Sequence, residues 1–390
     1  MFFKIQSTLN DSYPTHYKLN ELYWLHTDDG WKEFTVDSAK VFFKGYIDDT
    51  EVSETVLREI IASETPIKFG NFIAITTNGN TVKILHDYHR SFPLSVDCEN
   101  KSISTSYIGF RVNSGSMLVL DTAIVNNNNF HIKFINLNLL DEVNIDQMEY
   151  EEVIDSIDKI LLNRFSNFFK HNTLPVKLFV SGGVDTMLCW AYLKKLGINY
   201  ELLTDEHIYE SYFVKQNELF LKSFWGYNQI HSFELPSVLV SGALGDETML
   251  RGPQDSNIWL EQFGTSLPSV LLPNHYQYNY CNRPKNLKLY HPSNINDKES
   301  AARLILGHVL NDHQQWHLDN TITFTPLKDI RITNLLLRLS YNNIFGQIVD
   351  AAISKELVNR NCPQLLRHLE THKNVLRRWQ INYNAFLDDK

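Results

Sequence analysis

The sequence lacks the features that mark several large classes of protein. Its 390 residues include only four cysteines, which lie far apart and form no CxxC pair. This pattern favours neither a disulfide framework nor a zinc or iron–sulfur site, and it fits a reducing compartment. No run of 18 apolar residues occurs, and the first residues lack the apolar core of a signal peptide. We therefore expect a cytoplasmic protein without membrane spans.

Positive charge is also scarce. The chain has 36 Lys and Arg against 45 Asp and Glu, a formal net charge of −9. Affinity for a nucleic-acid backbone comes mostly from clustered Lys and Arg, so general nucleic-acid binding is not expected. The apolar content of 43% and charged content of 21% are typical of globular proteins. The length predicts two or three domains, each with its own core.

Two common phosphate-binding loops, GxxxxGK[ST] and GxGxxG, are absent as well. The chain instead has SGGVDT at Ser181–Thr186, between the strand-like Val176–Val180 and the helix-like Met187–Leu196. A strand, a turn of small residues and a helix together offer backbone N–H groups and a helix N-terminus to a phosphate. The pattern predicts an enzyme that handles nucleotides.

A second turn of the same kind follows a later strand. Asp185 would repel a phosphate unless a divalent metal lay between them, and Mg²⁺ binds through one or two carboxylates plus phosphates. The strand-like Ser237–Val240 continues into SGALGDE, Ser241–Glu247. Turns at the carboxyl ends of parallel strands share one edge of the sheet, so Asp185 and Asp246 are predicted Mg²⁺ ligands. The alternative for SGGVDT is an ordinary strand-to-helix turn, which the second turn disfavours.

The periodicity of the chain predicts two domains. Residues 1 to about 140 are β-rich, and helical spacing begins at Glu149 and continues to about Lys170, which places the boundary at about Asn138–Gln147. The N-terminal strands are predicted at Val41–Phe43, Phe72–Thr76, Thr81–Leu85, Ser102–Tyr107, Ser116–Leu120 and Phe130–Phe134.

Strands and helices then alternate, which predicts an α/β fold with a parallel sheet and a helical layer at the C-terminus. The predicted strands are Val176–Val180, Tyr200–Leu203 and Ser237–Val240. The predicted helical stretches are Met187–Leu196, Tyr212–Trp225, Ala301–Val309, Asn334–Leu339, Ile344–Val358 and Gln364–Leu376.

SGGVDT resembles the pyrophosphate loop of the ATP-pyrophosphatase (PP-loop) enzymes. Its pairing with SGALGDE is similar to the pair of turns in the asparagine synthetase-like branch, which includes β-lactam synthetases and lasso-peptide cyclases. Gly70–Leu94 resembles the N-terminal (Ntn) amidotransferase-like domain of that branch, although Arg90 stands where the family turn has Gly. FTPLKD at Phe324–Asp329 resembles a degenerate R-x-P-F-L-D segment. The resemblance implies an inactive glutamine-amidotransferase-like domain over residues 1–140 and an ATP-pyrophosphatase domain over residues 148–390.

The resemblance also implies an activity. ATP would activate a carboxylate as an acyl-adenylate with release of pyrophosphate, and an amine or ammonia would displace AMP to form an amide. The cofactors implied are ATP and Mg²⁺, and the partners are small-molecule or peptide carboxylates and amines.

Matching residues take the corresponding roles. Lys355 and Lys373 would stabilise charge on the adenylate and pyrophosphate, unless they are ordinary solvated lysines on helix faces. The metal ligands would be Asp185 and Asp246. The residues implied to bind the nucleotide are Ser181, Gly182, Gly183, Asp185, Thr186 and Gly245.

The chain departs from the family pattern in three ways. Phe2 stands where glutamine-hydrolysing members carry a cysteine nucleophile, so glutaminase activity is not expected. Ala243 stands where the family often has a Glu or Tyr that helps deprotonate the amine. Ser181 and Gly245 lie 64 positions apart, a short spacing that predicts a remodelled substrate pocket. The bases that could replace the residue missing at Ala243 are Glu247, Tyr276, Tyr278 and Tyr280.

Other interpretations stay open. A PP-loop enzyme that modifies a nucleoside or tRNA would need paired cysteines and a basic surface, which the sequence does not show. A non-catalytic binding protein that retained the fold is compatible with Ala243. His313 and His317, with His308 before them, have helical spacing but no acid in a HExxH pattern, so surface histidines are favoured over a metal site. The sequence leaves open the two substrates, ring closure against intermolecular amide formation, and a homo-oligomeric state.

Overall fold

The structure is a computed structural model. It describes residues 3–9, 13–28, 30–47, 52–62, 70–79, 81–87, 92, 95–97, 102–104, 110–111, 118–121, 132–134, 144, 146–180, 183–205, 222–224, 232–243, 245–249, 319–340, 343, 347, 351–366 and 369. The chain divides into two compact units: unit 1 is Met1–Val143, Tyr278–Ile295 and Glu299–Thr323, and unit 2 is Asn144–Gln277, Asn296–Lys298 and Phe324–Lys390. The assignment of residues 1–140 and 148–390 to the two enzyme domains stays a prediction.

Unit 1 contains two antiparallel sheets with a helix. The sheet orders are β10-β8-β9-β1-β3-β2 and β12-β11-β7-β6-β5-β4. The elements are β1 (Phe3–Gln6), β2 (Thr15–Lys18), β3 (Trp24–Thr27), β4 (Lys32–Val36), β5 (Ala39–Tyr46), α1 (Glu54–Ala62), β6 (Asn71–Thr77), β7 (Thr81–His86), β8 (Ser95–Asp97), β9 (Ser102–Ser104), β10 (Phe110–Arg111), β11 (Leu118–Asp121) and β12 (Ile132–Phe134).

The strand β6 shows how the core of unit 1 is layered. It is buried along its whole length. Ile73 and Ile75 belong to a core cluster that includes residues of the first sheet, whereas Phe72 and Ala74 belong to a cluster that includes residues of α1. Successive side chains of a strand point to opposite faces, so a strand covered on both faces reads as a continuous apolar run. The predicted strands Val41–Phe43, Phe72–Thr76 and Thr81–Leu85 are confirmed as parts of β5, β6 and β7.

The remaining elements form an α/β arrangement around a five-stranded sheet. They are α2 (Tyr150–His171), β13 (Val176–Phe179), α3 (Val184–Lys195), β14 (Glu201–Asp205), β15 (Lys222–Phe224), β16 (Ser232–Val240), α4 (Gly245–Thr248), β17 (Asp319–Phe324), α5 (Ile330–Leu337), α6 (Ala352–Asn361) and a 3-10 turn (Pro363–Leu365). None of the helices in the described ranges is both long and apolar enough to cross a membrane.

The order of the sheet determines where a ligand would bind. The strands lie in the order β15-β14-β13-β16-β17. β13 pairs in parallel with β14 on one side and with β16 on the other, and β14 pairs in parallel with β15. The chain therefore builds the sheet outwards from β13 in one direction and then crosses to the other side. Ligands of open α/β sheets bind at such a reversal, outside the carboxyl ends of the strands. The predicted α/β fold with a parallel sheet is confirmed.

One predicted helix is wrong at its end. Residues Lys222–Phe224, within the predicted helix Tyr212–Trp225, form strand β15 and pair with Leu203–Asp205. Apolar spacing cannot distinguish a short strand from a helical segment, and pairing with a neighbouring strand decided the outcome here. Residues 206–221 lie outside the described residues. The strand predicted at Ser237–Val240 is confirmed but begins earlier, at Ser232.

Apart from Tyr212–Trp225, the helices predicted for unit 2 overlap helices of the structure where the chain is described, although Ala351, within the predicted stretch Ile344–Val358, has a left-handed conformation and interrupts it. α2 buries apolar residues at helical spacing and carries acids in its first turn and bases in its last. α5 and α6 overlap the predicted stretches Asn334–Leu339 and Ile344–Val358. The stretch Ala301–Val309 and most of Gln364–Leu376 lie outside the described residues.

Candidate functional site

The candidate site lies at the carboxyl ends of β13 and β16, where the strand order reverses. After β13 the chain enters the first turn, and α3 begins at Val184 with Gly183 at its N-cap. After β16 the chain enters the second turn, and α4 begins at Gly245. Because the two strands are parallel neighbours, both turns leave the sheet at the same edge. The first turn of α3 contains Asp185 and Thr186, which sequence analysis assigned to metal and pyrophosphate binding.

Two glycines allow the turns to pack directly against each other. A Cβ added to Gly242 would lie 2.8 Å from the carbonyl carbon of Asp185 and 2.9 Å from the nitrogen of Thr186. A Cβ added to Gly245 would lie 2.3 Å from the Asp185 Cγ and 2.6 Å from its Oδ1. A side chain in either place would require Asp185 to shift. The Asp185 carboxylate therefore occupies the space that the missing Cβ of Gly245 leaves.

Hydrogen bonds within the second turn hold it in this shape. The amide of Ser241 donates to the carbonyl of Phe324 at 3.0 Å, which ties the end of β16 to β17. The amide of Ala243 donates to the Ser241 hydroxyl at 3.1 Å. The amide of Gly245 donates to the carbonyl of Gly242 at 3.1 Å. These three hydrogen bonds hold the described residues of the second turn against β17 and against each other.

A buried environment lies beneath the Asp185 carboxylate. Cys189, one helical turn further along α3, is fully buried, and its Sγ lies 3.9 Å from the carbonyl oxygen of Ser241. Burial raises the pKa of the Cys189 thiol well above its usual range, and the negative charge of Asp185 raises it further. The thiol is therefore neutral at physiological pH, and it serves as a small apolar group rather than a nucleophile.

The C-terminal helices approach the second turn from another side. Thr333 of α5 donates its hydroxyl hydrogen to the carbonyl of Thr248 at 2.9 Å. Gln347 donates from Nε2 to the carbonyl of Met249 at 2.8 Å. Lys355 lies in the first turn of α6, and its amide donates to the carbonyl of Ala351 at 2.9 Å. The structure therefore connects the helix that carries Lys355 to the residue that directly follows α4.

The segment that follows β17 is fixed by a buried arginine. Arg164 of α2 has 1% of its surface exposed and donates from Nη1 to the carbonyls of Pro326 and Lys328, at 2.6 and 2.9 Å. Its Nη1 also lies 3.4 Å from Oδ2 of Asp329, which accepts from Arg331 as well. Asp329 caps α5 through the amide of Arg331. This segment, FTPLKD, is the one that resembled a family motif, and the sequence did not indicate Arg164 as its partner.

The structure brings some of the predicted site residues together. Gly183, Asp185, Thr186 and Gly245 meet at the edge of the sheet. Asp246 follows Gly245 in α4, and its side chain lies outside what the structure describes. Gly242, which the sequence analysis did not assign to the site, touches the backbone of Asp185. The predicted residues outside the described part of the chain are Ser181, Gly182, Lys373, Tyr276, Tyr278, Tyr280, His308, His313 and His317, together with the side chain of Glu247.

Of the two predicted metal ligands, Asp185 is the one whose side chain lies within the described part of the chain. The described residues contain no cluster of three or more His, Cys, Asp or Glu side chains that could hold a metal by themselves. Mg²⁺ does not require such a cluster, since it binds through one or two carboxylates plus substrate phosphates and waters. The carboxylate of Asp185, set against Gly245, is compatible with that mode of binding.

Comparisons with known proteins yield only a distant structural likeness. No family model matches the sequence, and no curated protein matches it either. One solved structure that matches is the glutamine phosphoribosylpyrophosphate amidotransferase from B. subtilis, complexed with ADP and GMP. The match has 12% identity and a TM-score of 0.23, and covers 58% of this chain and 63% of that chain, less than two thirds of its length. A likeness at this level carries no conclusion on activity or ligands.

Proposed function

We propose that the protein is an ATP-dependent synthetase that forms an amide bond. It would activate a carboxylate as an acyl-adenylate and pass the acyl group to an amine or ammonia, with AMP and pyrophosphate as products. The observation that carries the proposal is the contact between two turns of small residues at the reversal of strand order, one with Asp185 and the other with Gly245 and Asp246. Both turns end in an acid, as a site for a metal–phosphate complex requires.

The chemistry assigns a task to each part of the site. A carboxylate oxygen of the acid substrate forms a bond to the α-phosphorus of ATP, and the bond from that phosphorus to the pyrophosphate oxygen breaks. The first turn and the N-terminal end of α3 would hold the departing pyrophosphate, because backbone N–H groups and the helix dipole favour an anion there. Bound Mg²⁺ would supply charge neutralisation on the phosphates, with Asp185 and Asp246 as its protein ligands.

The amide-forming step requires a base and a cation. The amine nitrogen attacks the acyl carbon, loses a proton, and displaces AMP. Ala243 cannot accept that proton, so we assign the role to another group, either Glu247, which directly follows the proposed metal ligand Asp246, or a tyrosine among Tyr276, Tyr278 and Tyr280. Lys355 and Lys373 would stabilise the negative charge that develops on the phosphates. With Phe2 in place of a nucleophile, the amine nitrogen would not come from glutamine hydrolysed by this chain.

The described cysteines do not favour the alternative of a thiolating PP-loop enzyme. Cys189 and Cys362 are both buried. The raised pKa of Cys189 keeps its thiol protonated, whereas a persulfide carrier needs an accessible thiolate. Neither of the two described cysteines therefore supports nucleoside or tRNA thiolation, whereas Cys98 and Cys281 lie outside the described residues.

The test is ATP–pyrophosphate exchange with a panel of carboxylic acids. Exchange of labelled pyrophosphate into ATP reports acyl-adenylate formation without knowledge of the amine. We expect exchange that requires Mg²⁺ and one class of acid. The substitutions Asp185→Asn and Asp246→Asn should each reduce the rate of exchange at least 100-fold. Asp155→Asn is the matched control, since Asp155 is an exposed acid of α2 paired with Arg360. Absence of ATP–Mg²⁺ binding at millimolar concentration, or full exchange in both site variants, would exclude the proposal.

A further inference from the structure

A buried glutamine joins the second turn to the helix that carries Lys355. Gln347 has no exposed surface, and every polar atom of its side chain is used. Its Nε2 donates to the carbonyl of Met249 at 2.8 Å and to the hydroxyl of Ser354 at 3.0 Å. Its Oε1 accepts from the amides of Ile353 and Ser354 at 2.8 and 3.3 Å. One side chain therefore holds both the residue after α4 and the start of α6.

The start of α6 depends on this side chain. Ala351 occupies the N-cap position and makes no side-chain cap. An N-cap side chain normally accepts from the second or third amide of the helix. In α6 those amides belong to Ile353 and Ser354, and Gln347 caps both from outside the helix. The cap and the connection to Met249 are thus made by the same amide group.

The backbone next to this contact is strained. Ala351 has a φ of 53° and a ψ of 39°, the left-handed conformation, which is unfavourable for a residue with a Cβ. The amide of Ala351 donates to the carbonyl of Gln347 at 2.9 Å, so a backbone hydrogen bond also links the strained residue to the glutamine. Strained backbone persists where the surrounding contacts fix it, and such places cluster at functional sites.

Hydrogen bonds connect Gly245, which lies against the Asp185 carboxylate, to the residues just before Lys355. Gly245 lies against the Asp185 carboxylate, and its carbonyl accepts from the amide of Met249 at 2.9 Å. The carbonyl of Met249 accepts from Gln347, which holds the two amides that immediately precede Lys355. The spacing between the proposed metal-binding turn and the first turn of α6 is set along this path.

We propose that Gln347 is a positioning residue, which fixes the first turn of α6 and hence Lys355 relative to the acidic second turn. The inference rests on the proposed synthetase function. Gln347 would not touch substrate; it would act through Lys355. A displacement of a catalytic group by about 1 Å costs on the order of 100-fold in rate, so loss of the connection is expected to reduce the rate at least 10-fold.

The test is a double-mutant cycle in ATP–pyrophosphate exchange with Gln347→Leu, Lys355→Met and the double variant. We expect Gln347→Leu to lower kcat at least 10-fold in the wild-type background and less than about 2-fold in the Lys355→Met background, because residues that act as a unit are not additive. Asn361→Ala is the control for helix loosening, since Asn361 anchors the far end of α6 through Asp158 at 2.7 Å. It should lower the melting temperature and leave kcat within about 2-fold.

The outcomes separate the two proposals. Suppose that the wild-type protein catalyses exchange, but Gln347→Leu lowers kcat by the same factor in both backgrounds, or Asn361→Ala lowers kcat as much as Gln347→Leu does. Gln347 would then have a purely structural role, which would overturn the inference and leave the proposed function standing. Unchanged kcat in a folded Gln347→Leu variant would overturn it as well. Absence of both exchange and ATP–Mg²⁺ binding in the wild-type protein would overturn the proposed function, and the inference with it.

Discussion

The substitution Gly245→Ala would displace the Asp185 carboxylate from the place where the two turns meet. The new Cβ would lie 2.3 Å from Asp185 Cγ, whereas carbon atoms in contact lie about 3.5–4.0 Å apart. The carboxylate must therefore move by roughly 1 Å, which for a catalytic or metal-binding group costs on the order of 100-fold in rate, or about 2.7 kcal/mol of transition-state stabilisation. We expect this loss in the kcat of ATP–pyrophosphate exchange.

Stability separates this effect from general damage. Gly245 begins α4 without a positive φ, so alanine is compatible with its own backbone conformation. Of the atoms that the new Cβ would meet, Asp185 Cγ and Oδ1 can rotate away, whereas Asp185 Cβ, at 2.7 Å, requires a small backbone shift. Gly242→Ala is the matched variant, because its Cβ would meet backbone atoms of Asp185 and Thr186 at 2.8 and 2.9 Å, which cannot rotate away. We expect Gly242→Ala to lower the melting temperature more than Gly245→Ala. Exchange within about 3-fold of wild type in Gly245→Ala would refute the reasoning.

Three further predictions concern stability and are measured by urea or thermal unfolding. Arg164→Leu removes the buried donor to the carbonyls after β17 and leaves the carboxylate of Asp329 with one partner fewer, so we expect a loss of about 3–5 kcal/mol. Asp28→Asn leaves the ammonium of Lys44 buried without the carboxylate that lies 2.5 Å away, and we expect a loss of similar size, about 3–5 kcal/mol. The raised pKa of Cys189 keeps the thiol protonated in the folded protein, whereas the thiol of the unfolded chain ionises at about pH 8.5. The contribution of this pKa difference to the free energy of unfolding is therefore fully present below that pH and is lost as the pH rises. Between pH 9 and 10 the wild type should lose up to about 1.4 kcal/mol more than Cys189→Ala.

Each of these has a result that would contradict it. Losses below about 1 kcal/mol in Arg164→Leu or Asp28→Asn would mean that these charges are solvated and that the described burial is wrong. Parallel pH profiles for wild type and Cys189→Ala would mean that the thiol ionises as readily in the folded protein as in the unfolded chain. Iodoacetamide labelling of Cys189 in the native protein at neutral pH would contradict its burial directly.

The candidate site could be predicted from the sequence because its signals are local. A β-branched strand, a turn of small residues and an acid occur twice, and each pattern needs no more than a dozen consecutive residues. The parallel pairing of β13 with β16 then places both turns at one edge. The pattern could not show that Gly242 and Gly245 are needed for close contact with Asp185, because that requires the distance between two separate turns.

The residues that support the site could not be predicted, because their contacts join distant parts of the chain. Gln347 meets Met249 across 98 positions and Arg164 meets Pro326 across 162, and neither residue belongs to a recognisable pattern. Glutamine and arginine are also usually exposed, and the burial of Gln347 and Arg164 is explained only by the hydrogen bonds that their side chains make. The strand Lys222–Phe224 was missed for a related reason: a three-residue strand is defined by its neighbour rather than by its own periodicity.

The central claim is that the two acidic turns activate a carboxylate with ATP. The most direct measurement is Mg²⁺-dependent exchange of labelled pyrophosphate into ATP by the wild-type protein and by Asp185→Asn, across a panel of carboxylic acids. The account predicts exchange with one class of acid in the wild type and a loss of at least 100-fold in the variant, because the Asp185 carboxylate lies against Gly245 of the second turn. Exchange that persists at the wild-type rate in Asp185→Asn would contradict it.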